Sequence, residues 1–139
     1  MILVIRIRGL VDVPSDVQEA LFRLRIRRKY SAVLIKPSPE KMKLLQKIRN
    51  YVAYGDIKPA TLKKLIEQRA QPVAGKKLDP AKVIKDLEKK ELYQLTDIKP
   101  FFRLHPPRKG IDAKKHFGVQ KGVLGDNKDK INELVERML

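Results

Sequence analysis

A chain of 139 residues with 42% apolar side chains is long enough to bury a core and too apolar to be disordered throughout. Its 32 Lys and Arg against 16 Asp and Glu leave a net charge of +16, a field that gathers polyanions and favours nucleic acid over a small acidic substrate. Cys is absent, which excludes disulfides, thiolate zinc sites and cysteine nucleophiles and fits a soluble, cytoplasmic chain. A heat-adapted surface would enrich Glu alongside Lys, so it does not account for an imbalance of this size.

In chain order, Met1 to Arg8 reads as a β-branched strand closed by Gly9, with Ile5 and Ile7 on a core face and Arg6 and Arg8 on a basic one. The arginines interrupt the first apolar run too early for a signal peptide or a membrane span. Ser15, with Gln18 at capping-box distance, predicts the start of a helix of about three turns carrying Val17, Ala20, Leu21 and Leu24. That helix runs into Arg25, Arg27, Arg28, Lys29 and Tyr30, and no acid occurs between Ala20 and Pro39. One or two cations would satisfy the helix dipole, so the excess asks for another partner.

Ser31 to Lys36 predicts a second strand. Ser38 and Pro39 cap and begin a second helix, striped by Met42, Leu45, Ile48 and Val52 and ended by Gly55, with Tyr51 and Tyr54 read as helix packing. Pro59 and Asp79-Pro80 each introduce a further helix, joined through QPVAGKK. Phe101, Phe102 and Leu104 form a third strand, which Pro106 and Pro107 stop. Asn127 caps a last helix with a stripe of Ile131, Leu134, Val135 and Met138.

The stretch FFRLHPPRKGIDAKKHFGVQKG, residues 101–122, reads as a loop that grips RNA. It carries Arg103, Arg108, Lys109, Lys114, Lys115 and Lys121 against one acid, Asp112, and holds His105 and His116 beside Phe117. Glycines permit close approach to a phosphate, rings stack on bases, and Arg108 and Lys109 suit phosphate contacts. The two histidines invite a ribonuclease reading, but a strand end and a lysine-rich loop do not fix a general acid and base around an enclosed pocket. Metal binding has only Asp112 as a third ligand, with lysines opposing a cation. Neither a GxxxxGK[ST] loop nor a GxGxxG follows a strand, so no nucleotide cofactor is implied.

IRIRGLVDVPSDVQEALFRLRIRRKYSAVLIK, then YVAYG, FFRLHPPRKG and HFGVQKGVLGDNKDKINELVERML, resemble the large-subunit ribosomal proteins of the "L-thirty" family in its long archaeal and eukaryotic form. The resemblance implies an α+β fold: a small antiparallel three-stranded sheet with two helices on one face, a truncated ferredoxin-like β-α-β-α-β core. In it the third strand lies beside the first. It implies one ribosomal-protein domain over 1–139, with the core at 1–55 and 100–110, a helical insertion at 56–97, and the basic loop and C-terminal helix at 108–139.

It further implies a structural constituent of the large ribosomal subunit that binds ribosomal RNA beside neighbouring ribosomal proteins in the cytoplasm. No enzymatic activity, cofactor or metal is implied. Arg27, Arg28, Lys29 and Tyr30, with Arg108, Lys109, Lys114, Lys115 and His116, match the family's basic segments, and Arg103, His105 and Lys121 complete the expected RNA contacts. A free-standing RNA-binding regulator or chaperone is the alternative, and the insertion could face RNA or protein.

Overall fold

A computed structural model describes residues 2–7, 13–36, 38–70, 80–89, 101–105, 113–116, 122–126 and 130–138. The strands β1 (Ile2–Arg6), β2 (Ser31–Ile35) and β3 (Val52–Asp56) form its centre, where β1 pairs antiparallel with β2 on one side and β3 on the other. All residues of β1 and β2 are buried, so this part of the sheet is covered on both faces. That explains why the strand residues show no clean alternation of apolar and polar types.

The α+β class and the antiparallel three-stranded centre stand, but the third strand is a different segment from the one expected. YVAYG was read as a helix end, yet the helix α2 (Pro39–Ile48) stops four residues short of Val52, and Val52, Ala53 and Tyr54 are buried in β3. The Val52 that continues the helical stripe belongs to a strand, and Tyr54 packs from it. Gly55 sits within β3, opposite Leu3. Phe102–Arg103 form β4, a short edge strand that pairs antiparallel with β2, so residues 101–104 lie beside the second strand and not the first.

The sheet also extends on its other side. The strands β5 (Ala113–His116) and β6 (Gly122–Asp126) come from the stretch expected as a loop and its sequel, and β6 runs parallel to β3. The whole is a mixed six-stranded sheet in the order β4-β2-β1-β3-β6-β5. Pairing β6 with β3 gives the exposed ladder of β3 the hydrogen bonds that an open edge would lack.

Helix α1 (Ser15–Arg23) packs beside α2 and buries Val17, Ala20 and Leu21. Its N-cap is Pro14 without a side-chain capping bond, so the expected cap Ser15 is already the first helical residue. Ser38 does cap α2, its Oγ accepting from the Lys41 N–H at 3.3 Å with Pro39 in the first turn. Residues 56–97, expected as a helical insertion, contain α3 (Pro59–Arg69) and α4 (Pro80–Lys89), which pack on each other; Leu65, Ile66, Val83 and Leu87 are among their buried residues.

The last helix, α5 (Ile131–Met138), buries the whole expected stripe of Ile131, Leu134, Val135 and Met138. It docks on β3 and α3. The expected cap Asn127 lies outside the described residues. Asn132 fixes the docking: its Oδ1 accepts from the Lys58 N–H at 2.8 Å and its Nδ2 donates to the Asp56 carbonyl at 3.1 Å. A surface pair, Lys64 with Glu136 at 3.3 Å, joins α3 to α5 as well. The His105 N–H donates to the Met138 carbonyl at 3.0 Å, tying the exit of β4 to the end of α5.

Asn132→Ala removes both side-chain bonds and leaves two partly buried backbone groups short of a partner. It should lower unfolding stability by about 2 kcal/mol, measured as a lower urea midpoint with an unchanged slope. An unchanged midpoint would show that water replaces the amide at no cost.

Candidate nucleic-acid interface

The connection between α1 and β2, residues 24–30, builds a strongly basic surface. Leu24 keeps helical φ and ψ, and Arg25 then turns left-handed at φ 65°. The Ile26 N–H donates to the Leu21 carbonyl at 3.1 Å and the Arg25 N–H to the Phe22 carbonyl at 3.0 Å. These two bonds define a Schellman termination of α1, including its buried apolar contact pair, Leu21 and Ile26. Glycine usually takes the left-handed position because a Cβ is disfavoured there. Here it is an arginine.

The connection then alternates, with Arg25, Arg27 and Arg28 exposed around a wholly buried Ile26. A four-residue turn closes it, the Ser31 N–H donating to the Arg28 carbonyl at 3.1 Å with Tyr30 left-handed at φ 64°. Arg25 and Tyr30 are the two non-glycine residues with positive φ among those described. Each costs of the order of 1 kcal/mol, and such residues persist where surrounding structure imposes them.

That imposition comes from beneath. Arg6, expected on an exposed basic face of the first strand, is 0% exposed. Its Nη1 donates to the carbonyls of Ile26 and Arg27, each at 3.0 Å. Burial pushes the Arg6 guanidinium below its ordinary value, yet an arginine so placed keeps its proton. The backbone adds two ties: the Tyr30 N–H donates to the Arg6 carbonyl at 2.7 Å, and the Leu104 N–H donates to the Tyr30 carbonyl at 3.0 Å.

The last tie brings β4 against the basic connection. Ser31 pairs with Arg103 across β2 and β4, and a cleft of about 410 Å³ opens between the two segments, lined by Arg25, Arg27, Arg28, Ser31, Phe101 and Arg103. Three cation–ring contacts order the surroundings. Arg27 lies 5.5 Å from the Phe22 ring centroid, Lys29 lies 5.0 Å from Tyr30, and Arg103 lies 5.5 Å from Phe101. The first explains an otherwise exposed Phe22, 39% accessible on α1.

The structure therefore brings Arg27, Arg28 and Arg103 together, with exposed Lys29 and half-buried Tyr30 on the same connection. His105 is exposed just beyond β4. Lys114, Lys115 and His116 lie on β5, at the opposite edge of the sheet from β4, five strand spacings or roughly 24 Å away. Arg108, Lys109 and Lys121 lie outside the described residues.

The stretch 101–122 thus divides between two edges. The first strand does not stand between 101–104 and the basic connection, which are direct neighbours. Arg25, Ser31 and Phe101 join the cleft without having been singled out as contacts, and Arg6 supports it from inside. The missing glycine after α1 was the available sign for Arg25; where Arg6 follows Ile5 and precedes Ile7, burial of the arginine has no sign in the sequence.

A strongly basic α+β protein that presents arginines on a rigid scaffold is of the kind found in ribonucleoprotein particles. The model of the family described as ribosomal protein L30p/L7e matches residues 2–52. Proteins named large ribosomal subunit protein uL30 match nearly the whole chain: 37% identical from Archaeoglobus fulgidus, over 99% of both chains, and 42% from Desulfurococcus amylolyticus, over 98% of this chain and 96% of its own. One from Methanobrevibacter smithii is 34% identical over the full length of both. The chain belongs to the ribosomal protein L30p/L7e family, in its long archaeal form, a family of ribosomal proteins and not of enzymes.

Arg25→Gly should raise unfolding stability by about 1 kcal/mol, because glycine removes the left-handed strain at the end of α1. Thermal denaturation reads it. A loss of stability would show that the side-chain contacts of Arg25 outweigh its backbone strain.

Proposed function

We propose that the chain is a structural constituent of the large ribosomal subunit, bound to ribosomal RNA and to neighbouring ribosomal proteins in the cytoplasm. The observation that carries this reading is the cleft, where three exposed arginines are held on a connection locked from beneath by Arg6 and a fourth, Arg103, faces them from β4. Folded RNA crowds phosphates together, and guanidinium groups fixed in place neutralise them without first losing rotational freedom of the backbone that bears them.

Arg27, Arg28, Lys29 and Arg103 supply this grip, with Tyr30 and His105 at its margin. Arg108, Lys109, Lys114, Lys115, His116 and Lys121 provide a second basic segment, of which the β5 residues address RNA on the far side of the sheet. Two separated basic edges suit a scaffold that holds two RNA segments apart at a fixed distance. Shape and phosphate contacts then dominate over base readout.

Such a protein co-sediments with large subunits through a moderately high-salt wash, and recovery only from the free pool would overturn the reading in favour of a regulator acting outside the particle. Arg27→Ala combined with Arg28→Ala should weaken binding to ribosomal RNA and reduce the salt dependence of log K by about two units. Filter binding across a salt series measures it, and an unchanged slope would mean that both arginines stay in solvent.

A further inference from the structure

Resting on the RNA-binding reading, we propose that the cleft between the α1–β2 connection and β4 receives a single unpaired RNA nucleotide turned out of its strand, its base against the Phe101–Arg103 wall and its phosphate among Arg25, Arg27 and Arg28.

Size points this way. At about 410 Å³ the cleft lies at the small end of the range that encloses organic ligands, roughly 300–1,000 Å³. A duplex offers such a concavity nothing that fits, since its phosphates and sugar hydroxyls ride over a broad surface. A lone phosphate would leave most of the space empty.

The chemistry of the two walls differs, as the two halves of a nucleotide do. On one side stand the three exposed arginines of the connection, and among the described residues lining the cleft none is acidic. On the other, the Phe101 ring is half-buried, and the Arg103 guanidinium already lies 5.5 Å from its centroid. Aromatic rings and guanidinium planes are the surfaces on which splayed-out bases stack. Ser31, buried between them, places a hydroxyl that can donate or accept.

Both walls are preformed. Arg6 and the Schellman bonds hold one, and the β2–β4 pairing holds the other. The ordering cost of closing a site around the nucleotide is thereby reduced. An acidic peptide would satisfy the arginines but would leave the ring wall without a flat partner.

The test uses the full chain and RNA hairpins of one stem sequence: fully paired, with a one-nucleotide bulge of adenosine or of uridine, and with an abasic bulge. Fluorescence anisotropy should show both bulged hairpins binding about tenfold more tightly than the paired and abasic ones, the scale of one base stack. Phe101→Leu, which keeps apolar bulk and removes the ring, should abolish the difference between the bulged and the paired hairpins. Equal binding of all hairpins, or no effect of Phe101→Leu in a variant shown to be folded by circular dichroism, would overturn the proposal while leaving RNA binding in place. Failure of every hairpin and of ribosomal RNA to bind would overturn the RNA-binding reading itself. Displacement of bulged RNA by polyglutamate more readily than by adenosine monophosphate would assign the cleft to an acidic protein segment and also overturn it.

Discussion

A buried guanidinium holds the α1–β2 connection in its shape. Arg6 sits on the central strand of the sheet, wholly inaccessible, and one of its nitrogens serves two consecutive carbonyls above it. Burial of a charge is costly unless hydrogen bonds replace its water. Those bonds are what stiffen a connection that has strained residues near both ends, Arg25 and Tyr30. One cation is thus spent inside the fold so that others can be displayed outside it.

Rigidity also spreads sideways from this point. Tyr30 accepts from Leu104, β4 pairs with β2, and His105 is tied to the end of α5. Asn132 then joins α5 to the exit of β3. The arginine cleft, the sheet and the C-terminal helix therefore form one connected framework. Positive charge fixed on such a framework stands at defined spacing, which the proposed RNA scaffold requires and a merely basic surface lacks.

Much of this was legible in the residues, and the failures have physical reasons. The helical stripe from Ile131 to Met138 and the Ser38-Pro39 start are local signals, and both hold. Val52 continued the stripe of α2 by spacing alone, whereas the chain turns after Ile48 and β3 is buried along most of its length, which erases the alternation that would mark a strand. The pairing of β6 with β3 depends on an edge that exists only once the sheet is formed. In the site, the run of arginines after α1 was plain. Its proximity to Arg103 required the unexpected place of β4, and the role of Arg6 required knowing that β1 is covered on both faces.

If Arg6 organises the proposed RNA-binding surface without touching RNA, Arg6→Met should reveal it. Binding of the variant and the unaltered protein to ribosomal RNA is compared over a salt series, at a temperature where circular dichroism shows both to be folded. The variant should lose about tenfold in affinity, about 1.4 kcal/mol, with the salt slope unchanged, because no phosphate contact is removed. Unaltered affinity, or a slope reduced by about one unit as for a direct phosphate contact, would contradict this role for Arg6.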